Sequence, residues 1–425
     1  MGMTFKISTL GCKVNQQESE KLATDFVARG FTPAGKDEKA DICVINSCTV
    51  TSIADSKTRK QIRQARKENP GAFICVIGCI AETSREAVLA MPEVDIALGS
   101  FDKEQTAEIV AGTLGITGEQ ITGGSSYALG KTRGGDPFHS QRTRAFIKVE
   151  DGCDRFCAYC VIPYARGAVR SRTAEDVVTE ARTLLEAGYK ELVLTGINLA
   201  LYGSGRPADG SGLYALVKRL CALEAGEEFR VRLGSLEPTV IAEDTAIRIA
   251  SIKGVCPQFH LSLQSGSEKT LKEMGRLYTP KGYADIVHAL REIDPLFSIT
   301  TDVIVGFPGE SDADFEDSLE FVRSMEFAHV HVFKYSKRPG TLAAEMAGQI
   351  KEEVKNERRK RMMATAGASA GRFLELNKGH VRRTLIYGPE KSGRFVRGLT
   401  DNGIGILLKV KKGEYTVNSF IDAGI

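Results

Sequence analysis

Residues 151–167 read DGCDRFCAYCVIPYARG and place three thiols, Cys153, Cys157 and Cys160, within eight residues. Three and then two residues separate them, so all three can converge on one metal centre. A structural zinc site wants four ligands in a tetrahedron, and no further Cys or His follows in the immediate neighbourhood. An iron–sulfur cube held by three cysteines leaves one iron open to an outside ligand. The thiol count alone does not choose between the metals. Gly152 ahead of the first Cys and Pro163 behind the last mark a turn-rich loop able to wrap such a centre.

Outward from this loop the chain alternates strand and helix patterns. Residues 144–149 (RAFIKV) predict the strand that enters it. Helices are expected at 174–187, 213–224, 241–250, 280–292 and 312–324, and strands at 190–195, 230–233, 259–264, 298–305 and 329–333. Six such turns in about 190 residues predict a partial TIM-like (β/α)6 barrel with its chemistry at the carboxyl ends of the strands. Short polar motifs fall there: Gly196 and Asn198 in GINL, Ser235 and Glu237 in GSLEP, Gln264 and Ser265 in QSGS, Gly306 and Gly309 in GFPGE. Glycine admits close approach of a ligand, the hydroxyl and carboxyl groups can bond amines or ribose, and Arg166 and Arg170 can counter an anion.

Ahead of the barrel, strand patterns at 5–10, 42–45 and 73–77 alternate with helix patterns at 17–29 and 55–68. A helix at 84–90 and another near 102–112 complete a small open α/β unit. Its functional rim is expected at the carboxyl ends of the strands. Cys12, Cys48 and Cys79 each follow one of those strands, so a parallel sheet could gather them into a second metal site; spacing alone also allows free cysteines in small-residue loops. Cys43 and Cys75 lie inside strand runs and read as buried apolar residues. Residues 115–141, rich in Gly, Ser and Thr, read as a linker or as an ordered loop near the substrate.

The 425 residues are 42% apolar and 26% charged, enough for two or three domains of a soluble protein. The start, MGMTFKISTLGC, lacks the apolar core of a signal peptide, and no apolar run is long enough to span a bilayer. A cytoplasmic location, with no membrane partner, is therefore expected. In a reducing compartment ten cysteines argue for metal binding or catalysis over disulfides. No heptads or extended apolar surface announce an obligate dimer, so a monomer or weak oligomer is expected. Net charge is only +3, but residues 351–425 hold 16 Lys and Arg against 8 Asp and Glu, while the rest hold 41 against 46. A basic tail on a mildly acidic body suits a polyanion, or a merely solvated surface.

After a charged helix at 349–370, strand patterns at 380–387, 393–399, 403–410 and 414–420 predict a small antiparallel barrel. Arg382, Arg383, Arg394, Arg397, Lys409, Lys411 and Lys412 are its candidate phosphate contacts. Phe395 and Tyr415 suit either base stacking or the core.

The C-x3-C-x2-C spacing, with Tyr159 before the last Cys, resembles the signature of radical S-adenosylmethionine (SAM) enzymes. The resemblance implies a [4Fe-4S] cluster on Cys153, Cys157 and Cys160, with SAM on the fourth iron as the source of an adenosyl radical. It also implies a SAM pocket that includes Tyr159, Gly196, Asn198, Ser235, Glu237, Gln264 and Gly306. TLGCKVNQQESE, NSCTV and VIGC are similar to the amino-terminal domain of the methylthiotransferases, which implies a second [4Fe-4S] cluster on Cys12, Cys48 and Cys79, with Asn15 and Asn46 close by. The carboxyl-terminal segment resembles the TRAM domain, an RNA-binding barrel. These likenesses divide the chain into residues 1–114, a linker at 115–141, a radical SAM domain at 142–371 and a TRAM-like barrel at 372–425.

Within the family, Lys13-Val14-Asn15 resembles the group that modifies N6-threonylcarbamoyladenosine beside the tRNA anticodon. An isopentenyladenosine group has Gln-Met-Asn there, and a group acting on a ribosomal-protein aspartate has Lys-Asn-Leu. GCIAE and INLALYG depart mildly from the usual GCxAQ and from a His in place of Asn198. The implied product is a 2-methylthio base, whose unactivated C2–H bond ordinary acid–base groups cannot open, so the cofactors carry the chemistry. The implied partners are the anticodon stem-loop, a flavodoxin- or ferredoxin-like electron donor and a sulfur source. A non-enzymatic zinc- or cluster-bearing RNA-binding protein is the reading of a different class.

Overall fold

The computed structural model describes residues 2–116, 143–204, 212–238, 243–390, 393–409 and 415–425. Most of the expected linker, and Lys411 and Lys412, lie outside the described residues.

The amino-terminal sheet contains β1 (Thr4–Thr9), β2 (Thr32–Pro33), β3 (Ile42–Ser47), β4 (Phe73–Gly78) and β5 (Ile96–Leu98). All pairs are parallel, in the order β2-β1-β3-β4-β5. Continuous apolar runs such as ICVI and FICVI suit strands covered on both faces. Phe26, Val44 and Ile77 pack on one face of the sheet, and Ile45, Ile62 and Val76 on the other. Helix α1 (Lys13–Ala28) starts four residues before the expected position. Its N-cap, Cys12, makes no side-chain capping bond, so no Ser, Thr, Asp or Asn announces the start. Helices α2 (Ser52–Glu68) and α3 (Cys79–Thr83) follow β3 and β4.

Next come β6 (Arg144–Lys148), a short antiparallel pair β7 (Glu150–Asp151) and β8 (Arg170–Ser171), then β9 (Glu191–Thr195), β10 (Arg230–Leu233), β11 (Ser235–Leu236), β12 (Gln258–Leu261), β13 (Ser298–Val305) and β14 (His329–Lys334). They form parallel sheets ordered β10-β9-β6 and β11-β12-β13-β14. Only Gly234 separates β10 from β11, so the two sheets are one curved layer with β6 and β14 as its free edges. Leu192, Leu194, Val231, Phe259, Leu261, Ile299 and Val303 pack outward against helix residues such as Val177, Leu216, Leu220, Val287 and Leu290. Side chains alternate along a strand, so Arg144, Glu191, Arg232, His260, Asp302 and His331 face the lumen of the open barrel.

The amino-terminal sheet and its helices close the gap between the free edges. α1 lies against β6. Beyond β14, Arg338 donates to Asp55 at 2.7 Å and Thr49 at 2.5 Å, and the Ser52 N–H donates to Ser336 at 3.1 Å.

The last four strands are β15 (Val381–Pro389), β16 (Phe395–Thr400), β17 (Gly405–Lys409) and β18 (Phe420–Gly424), all antiparallel, in the order β17-β16-β15-β18. The fourth strand sits at 420–424 and not at 414–420, and among the described residues β17 does not pair with β18. This sheet caps the amino ends of the barrel strands. Arg230 donates to the carbonyls of Arg383 and Leu399 at 3.1 and 3.0 Å, and Arg232 to that of Thr400 at 3.1 Å. Both arginines are anchored by the buried Glu191, at 2.6 and 2.8 Å. Among the described residues, no helix is long and apolar enough to cross a membrane.

Glu191→Gln leaves two guanidinium groups buried without their counter-charge and is expected to cost about 3 kcal/mol. A lower thermal midpoint and earlier protease release of the carboxyl-terminal sheet check this; unchanged proteolysis counts against the docking role.

Candidate active site

Cys12, Cys48 and Cys79 stand just past the carboxyl ends of three adjacent strands, β1, β3 and β4. The register pairs Thr9 with Asn46 and Asn46 with Ile77, so the strand ends are level. Cys48 and Cys79 are buried and Cys12 is exposed. Burial pushes the Cys48 thiol up to about 11, opposed by a Val50 backbone hydrogen bond and reinforced by Cys79 and Cys12 beside it. Gly11, at φ +114°, turns the chain where a β-carbon would come within 2.8 Å of that of Cys48. Asn15 fixes two of the strand ends: its amide nitrogen donates to the carbonyls of Leu10 and Ser47 at 2.8 and 2.9 Å. Asn46 donates to the Asn15 carbonyl at 2.9 Å.

Arg166 reaches this trio from the loop that carries the other one. Its guanidinium is 1% exposed and donates to Asn15 Oδ1 at 2.7 Å, Asp151 Oδ1 at 2.8 Å and Glu18 Oε1 at 3.0 Å. Lys103 and Lys148 also pair with Glu18, at 2.6 and 3.3 Å. Burial alone would raise the Glu18 pKa, but Arg166, Lys103 and Lys148 overcome it and hold the carboxyl at about 2. Against Glu18 and Asp151 these three cations leave one positive charge in excess, facing Cys79 and Cys12.

Cys153, Cys157 and Cys160 lie on the loop between β7 and β8. At Gly152, φ is +84° and a β-carbon would meet the Ala168 carbonyl oxygen at 2.1 Å, so the loop closes as tightly as glycine permits. The Cys153 N–H donates to Gly167 and that of Cys160 to Cys157, at 3.0 and 2.9 Å. Burial pushes the Cys153 and Cys160 thiols up to about 12, with neighbouring cysteines adding to it. Arg276 Nη1 donates to Cys157 Sγ at 3.5 Å and pairs with Glu237 Oε1 at 3.1 Å. Arg155 and Asn198 hold the same Glu237 carboxylate at 3.1 and 2.8 Å.

The other expected rim residues fall where the strand ends place them. A β-carbon at Gly196 would meet Glu150 Oε2 at 2.4 Å, and one at Gly306 would meet Lys355 Cγ at 2.5 Å. The groups crowding these two glycines therefore belong to the chain itself. Gln264, at φ +67°, bridges to β13 through its backbone, with its N–H on Asp302 at 2.8 Å. Ser235 pairs in register with His260. Tyr159 lies beside Met274, Phe307 and Tyr335. Arg382 is bound to Asp294 at 2.7 Å, and Arg383 to Glu228 and Asp422, so both are neutralised within the chain. Arg394, Arg397 and Lys409 are exposed.

Arg276, Arg155 and Glu150 escaped the sequence reading, which had no local signal for a charge that acts across the rim. Arg276 sits in an ordinary interhelical MGR turn.

Both trios fit iron–sulfur clusters in donor chemistry: soft thiols, gathered at level strand ends in one set and on a tight loop in the other, each with an arginine beside it. Among the described residues, the group of three His, Cys, Asp or Glu ligands lying within 4.8 Å of one another is His260, Asp302 and His331. A cavity of about 850 Å³ along the seam between α1 and β6 is lined by Gln17, Lys21, Phe101, Phe146 and Arg170, and by none of the six cysteines.

Residues 147–322 match the Radical SAM superfamily, and residues 4–99 the uncharacterized protein family UPF0004. The fold is similar to that of the radical SAM methyltransferase TsrM of Kitasatospora setae, with TM-score 0.58 and 14% identity over 81% of this chain and 77% of that one. The chain is 37% identical to the threonylcarbamoyladenosine tRNA methylthiotransferase MtaB of Bacillus subtilis (strain 168), over 96% of this chain and 90% of that protein. It is 36% identical to the protein of the same name from Aquifex aeolicus, over 95% and 96%. It is 34% identical to the tRNA-2-methylthio-N(6)-dimethylallyladenosine synthase of Caldicellulosiruptor saccharolyticus, over 93% and 85%. The chain belongs to the radical SAM methylthiotransferase family, whose cofactors are SAM and two [4Fe-4S] clusters.

Burial pushes the Glu150 carboxyl up from 4.5 to about 8, against N–H bonds from Asn198 and Ile197. The native state therefore holds this proton more tightly than the unfolded chain does. The associated stability is present below about pH 4.5 and lost as pH rises through about 8. Thermal midpoints of wild type and Glu150→Gln, compared between pH 6 and 8.5, should fall more steeply with pH in the wild type; parallel curves refute the assignment.

Proposed function

We propose that this methylthiotransferase acts on tRNA and installs a 2-methylthio group on N6-threonylcarbamoyladenosine next to the anticodon. The observation that carries the reading is the Arg166 bridge. One guanidinium touches Asn15 beside Cys12 and the β7 residue Asp151 two positions before Cys153, so both cysteine trios are held to one mouth. A base entering there meets both.

Cys153, Cys157 and Cys160 hold the cluster that takes SAM, and Cys12, Cys48 and Cys79 hold the second. When bound, these groups supply methyl transfer and one-electron activation of the adenine C2–H bond. The chain supplies position. Arg276 steadies Cys157, and the Arg155–Glu237–Arg276 set, with Asn198, fixes the rim. Ser235 and Gln264 complete the SAM-facing surface, while Gly196 and Gly306 make room for Glu150 and Lys355 and Tyr159 packs beside Met274 and Phe307. The wall formed by the amino-terminal sheet keeps bulk water from the side of the barrel.

The threonylcarbamoyl assignment is supported by the Lys13-Val14-Asn15 sequence and by relatives of that name at 36–39% identity, against 33–35% for the dimethylallyl group. The residues at 372–425 hold RNA, with Arg394, Arg397 and Lys409 toward phosphates. The anticodon-loop base leaves its stack to reach the mouth. A flavodoxin- or ferredoxin-like donor and a sulfur source complete the reaction.

Anaerobic reconstitution should give about eight irons per chain, falling to about four when Cys153, Cys157 and Cys160 are all replaced by Ala. The wild type should methylthiolate a threonylcarbamoyladenosine stem-loop in preference to an isopentenyladenosine one. Four irons in the wild type, or the opposite preference, overturns the reading.

A further inference from the structure

The lumen beneath the cysteine mouth contains charged side chains that cluster binding does not use. Lys13 follows Cys12 directly, and its side chain is exposed. Its electrostatic neighbours are Arg144 on β6, Arg232 on β10 and Glu191 on β9, and its charge reaches His331 on β14. Lys13 is the first residue of α1, which lies against β6, and Arg144, Glu191, Arg232 and His331 all face the lumen by strand alternation, so the side chain that acts on them points into the barrel. Among the described residues the Lys13 ammonium makes no hydrogen bond or ion pair. Glu191, the anion nearby, already accepts from Arg230 and Arg232 at 2.6, 2.8 and 3.1 Å. Across the lumen, His260 bonds Thr300 at 3.0 Å and Asp302 at 3.2 Å, with the His331 ring centroid 5.9 Å from that of His260.

The His260, Asp302 and His331 atoms are close enough for a divalent cation. The charge around them decides against one. Lys13, Arg144 and Arg232 bring three positive charges to the lumen, and Glu191 and Asp302 bring two negative ones, both with partners in the chain. What is missing is an anion for Lys13.

We propose that Lys13 is the counter-ion for a carboxylate on the substrate's N6 substituent, and that it selects bases carrying that carboxylate over bases carrying an apolar group. The inference rests on the threonylcarbamoyl reading above. In adenine, C2 and C6 both flank N1, so the N6 substituent lies within one base width of the reacting carbon. A residue adjacent to Cys12 is placed to meet it. The threonyl group brings one carboxylate and one hydroxyl, which match Lys13 and the His260–Thr300–Asp302 wall. A dimethylallyl group would strip water from Lys13 and return nothing, a penalty that works as discrimination.

The test uses full-length, anaerobically reconstituted protein and anticodon stem-loops whose modified base is N6-threonylcarbamoyladenosine, its threonyl methyl ester, or isopentenyladenosine. Fluorescence anisotropy should show the wild type binding the free acid at least tenfold or so more tightly than the ester. Lys13→Gln should abolish that ratio, and Lys13→Arg should restore most of it. In turnover KM for the free-acid loop should rise more than kcat falls. Iron content equal to the wild type establishes that Lys13→Gln has kept Cys12 in place, and Lys13→Arg provides the second variant if it has not. Lys13→Gln with the acid preference intact overturns the proposal. So does a wild type that methylthiolates the threonylcarbamoyl loop but binds acid and ester alike, and that result leaves the substrate reading standing. A wild type that modifies only the isopentenyl loop removes the substrate reading itself.

Discussion

The Arg166 guanidinium holds the machine together. It is almost fully buried and joins three acceptors from two layers of the fold: Asn15 and Glu18 on α1, and Asp151 on β7. A buried charge is tolerable only when compensated, so the two units are registered by the requirement to satisfy it. Lys103 and Lys148 extend the compensation, and the net positive charge that remains is turned on the cysteines at the sheet rim. The same contacts therefore join the units and set a positive charge beside Cys12 and Cys79.

This coupling explains why each cysteine trio is assembled differently. Cys153, Cys157 and Cys160 are close in sequence and need only a tight loop, which Gly152 and the Cys160–Cys157 turn provide. Cys12, Cys48 and Cys79 are far apart and depend on strand register. Asn15 and Asn46 clamp that register from the side by bonding across the strand ends. A fault in the sheet would disperse the second set and leave the first intact.

Much of the architecture was legible because apolar runs and turn residues are local signals. β3, β4 and β13, and the helices at Pro280–Ile293 and Asp312–Ser324, fall on the expected segments almost to the residue. The Asp312–Ser324 helix even carries a capping box at Ser311 and Asp314. Both cysteine trios were visible as well, since each thiol follows a strand or sits on one loop. Illegible were the partnerships of charge. Arg166 looked like an anion contact near the loop, and its partner Glu18 lies 148 residues away. Arg382 and Arg383 looked like RNA contacts, yet they meet Asp294 and Glu228. Composition shows that a segment is basic; only the fold shows which charges are already matched.

The capping sheet is held beneath the barrel by arginines that recognise main-chain carbonyls of Arg383, Leu399 and Thr400. Those acceptors are present whatever side chains the strands carry. The seat is therefore indifferent to the outward-facing sequence of β16 and β17, which can drift without loosening it. Selection can rewrite that outward face while the barrel beneath stays constant, much as one handle accepts many blades.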